Sequence, residues 1–143
     1  MRTLKREKSG LKRKDNTEVD KMTGVYVHEL MNATTSVHKL HLKVTGEGSY
    51  AAHKALNELY DALPELADNI AEGYQGACEM LLSYPDTAPM SLETVEQGID
   101  YIRELSYATS ELQGVMPHSE IVNQLDMVKD ALNSAKYKLL FLS

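Results

Sequence analysis

The chain has 143 residues, 15 basic and 21 acidic side chains, five histidines and a formal net charge of −6. That is the length of one ordinary domain, long enough to bury a core without covalent staples. A single cysteine, Cys78, excludes an intrachain disulfide and points to a reducing, cytoplasmic setting. No run approaches the roughly 18 apolar residues of a membrane helix. No apolar stretch follows the basic start to read as a secretory signal. One Phe, no Trp and few β-branched residues disfavour an all-β sandwich.

Residues 1–15 read as a basic N-terminal arm. Within residues 1–14, Arg2, Lys5, Arg6, Lys8, Lys12, Arg13 and Lys14 stand against Glu7 alone, giving +6, while the rest of the chain carries eight basic and twenty acidic groups, giving −12. Such an arm attracts DNA or another polyanion that the body repels. The plainer readings are a solvated tail or a docking segment for another protein.

Residues 16–143 read as a bundle. The first helix is expected from Asn16 or Glu18 to about Val44, on a stripe of Val27, Leu30, Met31, Thr34, Val37, His38 and His41 at spacings of three and four. Gly46-Glu47-Gly48 ends it, and Ser49 is placed as the next N-cap. The second helix is expected from about Tyr50 to about Leu82. It turns Leu56, Leu59, Leu63, Leu66, Ile70 and Tyr74 inward, with Pro64 a kink point. Ser83 to Pro89 is a loop by its two prolines. Ser91 is placed as the cap of a third helix carrying Leu92, Val95, Ile99, Ile102, Leu105 or Ser106, Thr109 and Leu112, which Gly114 and Pro117 break. The fourth runs from Ser119 to about Leu142 on Ile121, Leu125, Val128, Leu132, Ala135, Leu139 and Leu142. Four long amphipathic helices predict an all-α four-helix bundle. The loop between helices two and three is short, and permits parallel helices only if their ends unwind into a crossover.

The chemistry sits on helices one and two, in His38, His41, His53, Asn57, Asp61, Asp68 and Glu72. With His53 at 0°, Asn57, Asp61, Asp68 and Glu72 lie at about 40°, 80°, 60° and 100° on a helix, all on one face. Imidazole together with carboxylate suits Fe, Zn or Mn. His53 and Asp68 are about 22 Å apart along a straight helix, so one ion cannot touch both within a chain. Either the two ends act separately, or a second copy of helix two runs antiparallel across a two-fold axis. In the latter case His53 and Asn57 of one subunit meet Asp68 and Glu72 of the other, twice per dimer. An intrachain di-iron centre needs Glu-x-x-His on two helices, and the chain has no Glu-x-x-His. It also lacks a glycine-rich phosphate loop and a hydrolase elbow.

The stretch His41-Leu42-Lys43-Val44-Thr45-Gly46, followed by His53 at +12, Asn57 at +4, Asp68 at +11 and Glu72 at +4, resembles the Dps family of ferritin-like, DNA-protecting mini-ferritins. Leu66-Ala67-Asp68-Asn69-Ile70-Ala71-Glu72 with Gly73 is similar to that family's helix B, and Lys138-Leu139-Leu140-Phe141-Leu142 to the end of its helix D. The similarity is strongest over residues 38–76. The resemblance implies a ferritin-like bundle that binds iron. His41 and His53 would be neutral imidazole ligands, with Asp68 and Glu72 of the partner subunit the carboxylates and Glu72 bridging two irons. It further implies ferroxidase activity with peroxide or oxygen as oxidant, iron storage in a dodecameric homo-oligomer built on two-fold dimers, and DNA binding through the arm. Its location would be cytoplasmic, or virion-associated, since small divergent members also occur in phage genomes.

The chain departs from the family's pattern at several places. Asn57 stands where the family has a ligating Asp, with Asp61 one turn on as the candidate replacement; Leu42 and Lys43 stand for its Trp and Asn. The segment between helices two and three is short for the family. A second reading therefore stays open: a catalytically degenerate ferritin-like structural or interaction protein of a larger assembly, viral assemblies included. For His41, His53, Asp68 and Glu72 the plain alternative is an exposed polar face with accidental spacing. His28 and His118 read as surface or capping residues, His38 as exposed, and Tyr50, Tyr60 and Tyr74 as packing groups with bonded hydroxyls. Cys78 reads as a small apolar residue to which spacing gives no histidine partner.

Overall fold

The computed structural model of the protein describes residues 16–143; the arm and its seven basic residues lie outside that range. Among the described residues there is no strand, and four helices make up the fold. They are α1 (Thr17–His41), α2 (Ser49–Cys78), α3 (Val95–Val115) and α4 (Ser119–Phe141). No described helix is long and apolar enough to cross a membrane.

Heptad-like spacing puts one stripe of each helix on a common axis. Val27, Leu30, Ala33, Val37 and Leu40 of α1 meet Leu56, Leu59, Leu63, Ile70 and Tyr74 of α2. Ile102, Leu105 and Leu112 of α3 and Ile121, Leu125, Val128 and Leu132 of α4 close the core. Each fully buried Leu or Ile contributes about 1.5–3 kcal/mol relative to exposure. The expected stripe on α1 is too wide. Met31 and His38 lie on its outer edge and are exposed, as is Leu142 at the end of α4.

Contacts run α1 to α2, α2 to α4, α4 to α3 and α3 to α1, which leaves α2 and α3 on a diagonal. Tyr74 of α2 meets Asp20 of α1 at one end of the bundle and His53 meets His41 at the other, so these two helices are antiparallel. His118 lies beside Cys78, and Lys138 beside Glu58, so α4 is antiparallel to α2. Tyr26 bonds Thr109 while a Cβ at Gly98 would meet Leu40, so α3 is antiparallel to α1. It follows that α2 and α3 are parallel, joined by a crossover along the full length of α1.

Four expected boundaries are corrected, two at this crossover and two at the first hairpin. Helix α2 stops at Cys78 instead of Leu82, because Glu79 turns left-handed (φ 54°) and its N–H bonds Gln75 O. Leu82 then enters the core while its N–H donates to Gln75 Oε1 at 2.9 Å. Thr94, not Ser91, caps α3 by accepting from the Gln97 N–H at 3.1 Å. At the first hairpin, α1 ends at His41 and not at Val44, and Gly48 (φ 81°) holds the N-cap position given to Ser49. Along the crossover, Ser83 O presses against Gly24, Asn32 Nδ2 donates to Thr87 O at 2.9 Å, and Lys43 Nζ donates to Leu92 O at 3.0 Å. Pro64 does not end α2, and α3 continues through Gly114 to Val115.

Candidate metal centre

The hairpin between α1 and α2 brings the last residue of one helix against the second turn of the other. His41 and His53 stack there, with ring centroids 3.7 Å apart and Nε2 atoms 3.0 Å apart. His53 Nδ1 lies 3.1 Å from the carbonyl oxygen of His41. A carbonyl only accepts, so Nδ1 carries the proton and His53 Nε2 is a bare lone pair. His41 Nε2 is therefore the donor between the rings. That tautomer leaves His41 Nδ1 as a buried acceptor with no hydrogen-bond partner.

His41 is only 7% exposed, whereas His53 is half-buried. Burial holds the His41 imidazole below its usual proton affinity, and the positive forms of His53 and His38 push the same way. The His38 backbone and Asp61 oppose that shift. His38 is exposed, as expected, and stacks on Tyr60 at 4.0 Å, while the Tyr60 ring stands edge-on to His41 at 5.1 Å. Tyr60 thus becomes the wall of the site. By sequence Tyr60 reads as a packing group, and its place seven residues after His53, two turns along the same helix, puts it on the same face.

Asn57 is half-buried, and its Nδ2 donates to Asp61 Oδ2 at 2.8 Å. The amide thus orients the carboxylate one turn further along. Asp68 and Glu72 are exposed on the outer face of α2, about four and five turns from His53. The structure brings His41 and His53 together and keeps Asp68 and Glu72 apart from them. Among the described residues, no group of three or more His, Cys, Asp or Glu side chains could hold a metal ion. What one chain presents is a pair of imidazoles at one end of the α1–α2 face and a carboxylate pair further along it.

Lys43 does not approach this centre. Its ammonium binds Glu93 at 2.9 Å and Leu92 O at 3.0 Å, at the start of α3. His28, expected at the surface, is half-buried and lies 3.0 Å from both oxygens of Thr87. Tyr74 packs as expected, its hydroxyl donating to Asp20 at 2.6 Å, whereas Tyr50 is exposed. Cys78 does have a histidine neighbour, His118 Nε2 at 3.6 Å. Forty residues separate the two, so spacing gave no sign of it.

A family of unknown function, DUF5856, matches residues 41–139, from His41 through α4. No curated protein and no solved structure matches the chain.

Proposed function

We propose that this chain, which belongs to the DUF5856 family, is a ferritin-like oxidoreductase of the Dps kind. It would take up Fe(II) between two subunits, oxidise it with hydrogen peroxide or oxygen, and sequester the product. One observation carries the reading: the 3.0 Å between His41 Nε2 and His53 Nε2. Two nitrogens bound to one ion at about 2.1 Å stand about 3.0–3.4 Å apart in octahedral or tetrahedral geometry. The nitrogens, joined by a hydrogen bond, stand at a spacing that two ligands of one ion also have, which supports the reading.

The surroundings support the same reading. The His53 Nδ1–H to carbonyl bond is the outer contact that orients a ligating imidazole. A depressed proton affinity keeps His41 neutral and free to ligate. On losing the Nε2 proton to a metal, His41 would carry its proton on Nδ1, and the His38 backbone favours the protonated ring. One long crossover is the connectivity of ferritin-like bundles. In the proposed dimer, Asp68 and Glu72 of the partner subunit supply the charge that the two neutral imidazoles lack. Two Fe(II) ions give one electron each, and one peroxide with two protons becomes two waters.

Anaerobic Fe(II) titration of the full chain, followed by peroxide, tests this, with particle mass read on the same sample. Stoichiometric binding and rapid ferric absorbance in a hollow-shell mass are expected. No binding, and oxidation no faster than in buffer, would favour the second reading, a structural protein of a larger assembly. The neutral Asn57, with its amide engaged by Asp61, is the observation on that side. The arm is a separate part of the proposal. Removing residues 1–14 should abolish duplex DNA binding and its salt dependence, and unchanged binding at low salt would sink the DNA assignment.

A further inference from the structure

A second cluster of reactive side chains lies at the opposite end of the bundle from His41 and His53. Cys78 closes α2, half-buried, and its Sγ is 3.6 Å from Nε2 of His118, the residue that opens α4. Tyr74, one turn before Cys78, is fully buried and stands edge-on to the His118 ring at 5.9 Å. Its hydroxyl donates to Asp20 of α1 at 2.6 Å. Burial, the Asp20 carboxylate and the Cys78 sulfur all raise the Tyr74 phenol above its ordinary value, so it stays a neutral hydroxyl. Helix α2 and the N-cap of α4 thus place a thiol, a neutral phenol and a base at one point, with Asp20 of α1 holding the phenol.

We infer that Cys78 and His118 form a thiol–imidazole modification site at which a hydroperoxide oxidises the thiol to a sulfenic acid. A nucleophile within reach of a base is the geometry that activates sulfur. His118 Nε2 takes the thiol proton as Sγ attacks one peroxide oxygen. The O–O bond breaks, and the departing oxygen takes the proton back from His118 and leaves as water or an alcohol. Sulfur loses two electrons and the peroxide gains them. Cys78 is the sole cysteine of the chain, so no thiol of the same chain can resolve the sulfenic acid; an external thiol must reduce it. The inference does not depend on iron, since none of these residues belongs to the His41–His53 centre.

The test uses full-length protein freed of metal with a chelator, given hydrogen peroxide and the sulfenic-acid trap dimedone, and read by intact and peptide mass. The adduct should fall on Cys78 and be missing in Cys78→Ser. In the native protein it should form at least about a hundredfold faster than in the same protein unfolded in urea at equal pH, the lower end of general acid–base assistance. His118→Gln should bring the native rate down to the unfolded one. No adduct, a native rate no higher than the unfolded rate, or an undiminished rate in folded His118→Gln would each overturn the inference. Should His118→Gln fail to fold, the native-to-unfolded ratio decides by itself.

Discussion

The ring of His53 is held by the backbone of the residue it faces: its Nδ1 donates to His41 O at 3.1 Å, and its Nε2 stands 3.0 Å from His41 Nε2. A short hairpin makes this possible, because the carbonyl that would continue α1 is free to accept at the helix end. The cost is a buried His41 Nδ1 without a hydrogen-bond partner.

The proposed site takes its nitrogens from one subunit and its carboxylates from the next. His53→Ala and Asp68→Ala should therefore each abolish Fe(II) binding, and mixing the two should restore part of it. In a heterodimer, His53 of one variant meets Asp68 of the other at one interface site while the second site is doubly deficient. Random reassortment should recover about a quarter of the wild-type sites by that two-fold arithmetic. Stoichiometry that stays at zero after verified subunit exchange would argue against a shared centre.

Asp61 is oriented by Asn57 at 2.8 Å and acts on His41. If it supplies the carboxylate missing at position 57, Asp61→Asn should weaken Fe(II) binding about 10- to 100-fold, the range typical of groups that tune a metal site. Asn57→Asp should strengthen binding relative to the natural chain. Calorimetric titration of both variants checks this, and equal affinities would remove Asp61 from the site.

His41 also sets a pH dependence of stability. Its folded proton affinity lies below the ordinary 6.5 because of burial first and the neighbouring imidazoles second. The unfolded chain thus binds this proton at higher pH than the native one does, and stability rises with pH up to about 6.5. Urea midpoints should fall between pH 7 and pH 5, and His41→Gln should flatten that fall. Glu58, lowered from 4.5 by its bond to Lys138, loses its contribution only in a more acidic window, so the two effects separate.

The crossover passes over α1 at Gly24, where a Cβ would sit 2.2 Å from Ser83 O. Gly24→Ala should cost about 1–3 kcal/mol by overpacking. At Gly76 the same substitution meets nothing within 4 Å and should add about 0.5–1 kcal/mol of helix stability. Urea unfolding of the pair measures both, and a neutral Gly24→Ala would mean the crossover gives way easily.

Much of this was legible before folding. Three–four spacing located all four helices, and the stripe on α4 from Ile121 to Ala135 is buried throughout. The helical rise alone separated His53 from Asp68. Boundaries were less legible where a distant segment decides them. Residues 79–82, Glu-Met-Leu-Leu, are helix-forming types, yet Glu79 turns left-handed and Leu82 enters the core as the chain leaves for α3. Met31 belongs to the apolar pattern of α1 but is 45% exposed, because the facing helices cover a narrower sector than hydropathy suggests.

By itself the sequence determined which residues share a helix face and how far apart they stand, since the turn and rise of a helix are local properties of consecutive peptide units. It thereby determined that any ion shared by His53 and Asp68 requires a second chain. Only the tertiary structure decided that α2 and α3 run parallel, that Lys43 reaches Glu93, that His41 and His53 meet through their Nε2 atoms, and that Cys78 lies against His118. Those contacts depend on how helices pack around a common core, where side chains 12 to 50 residues apart meet.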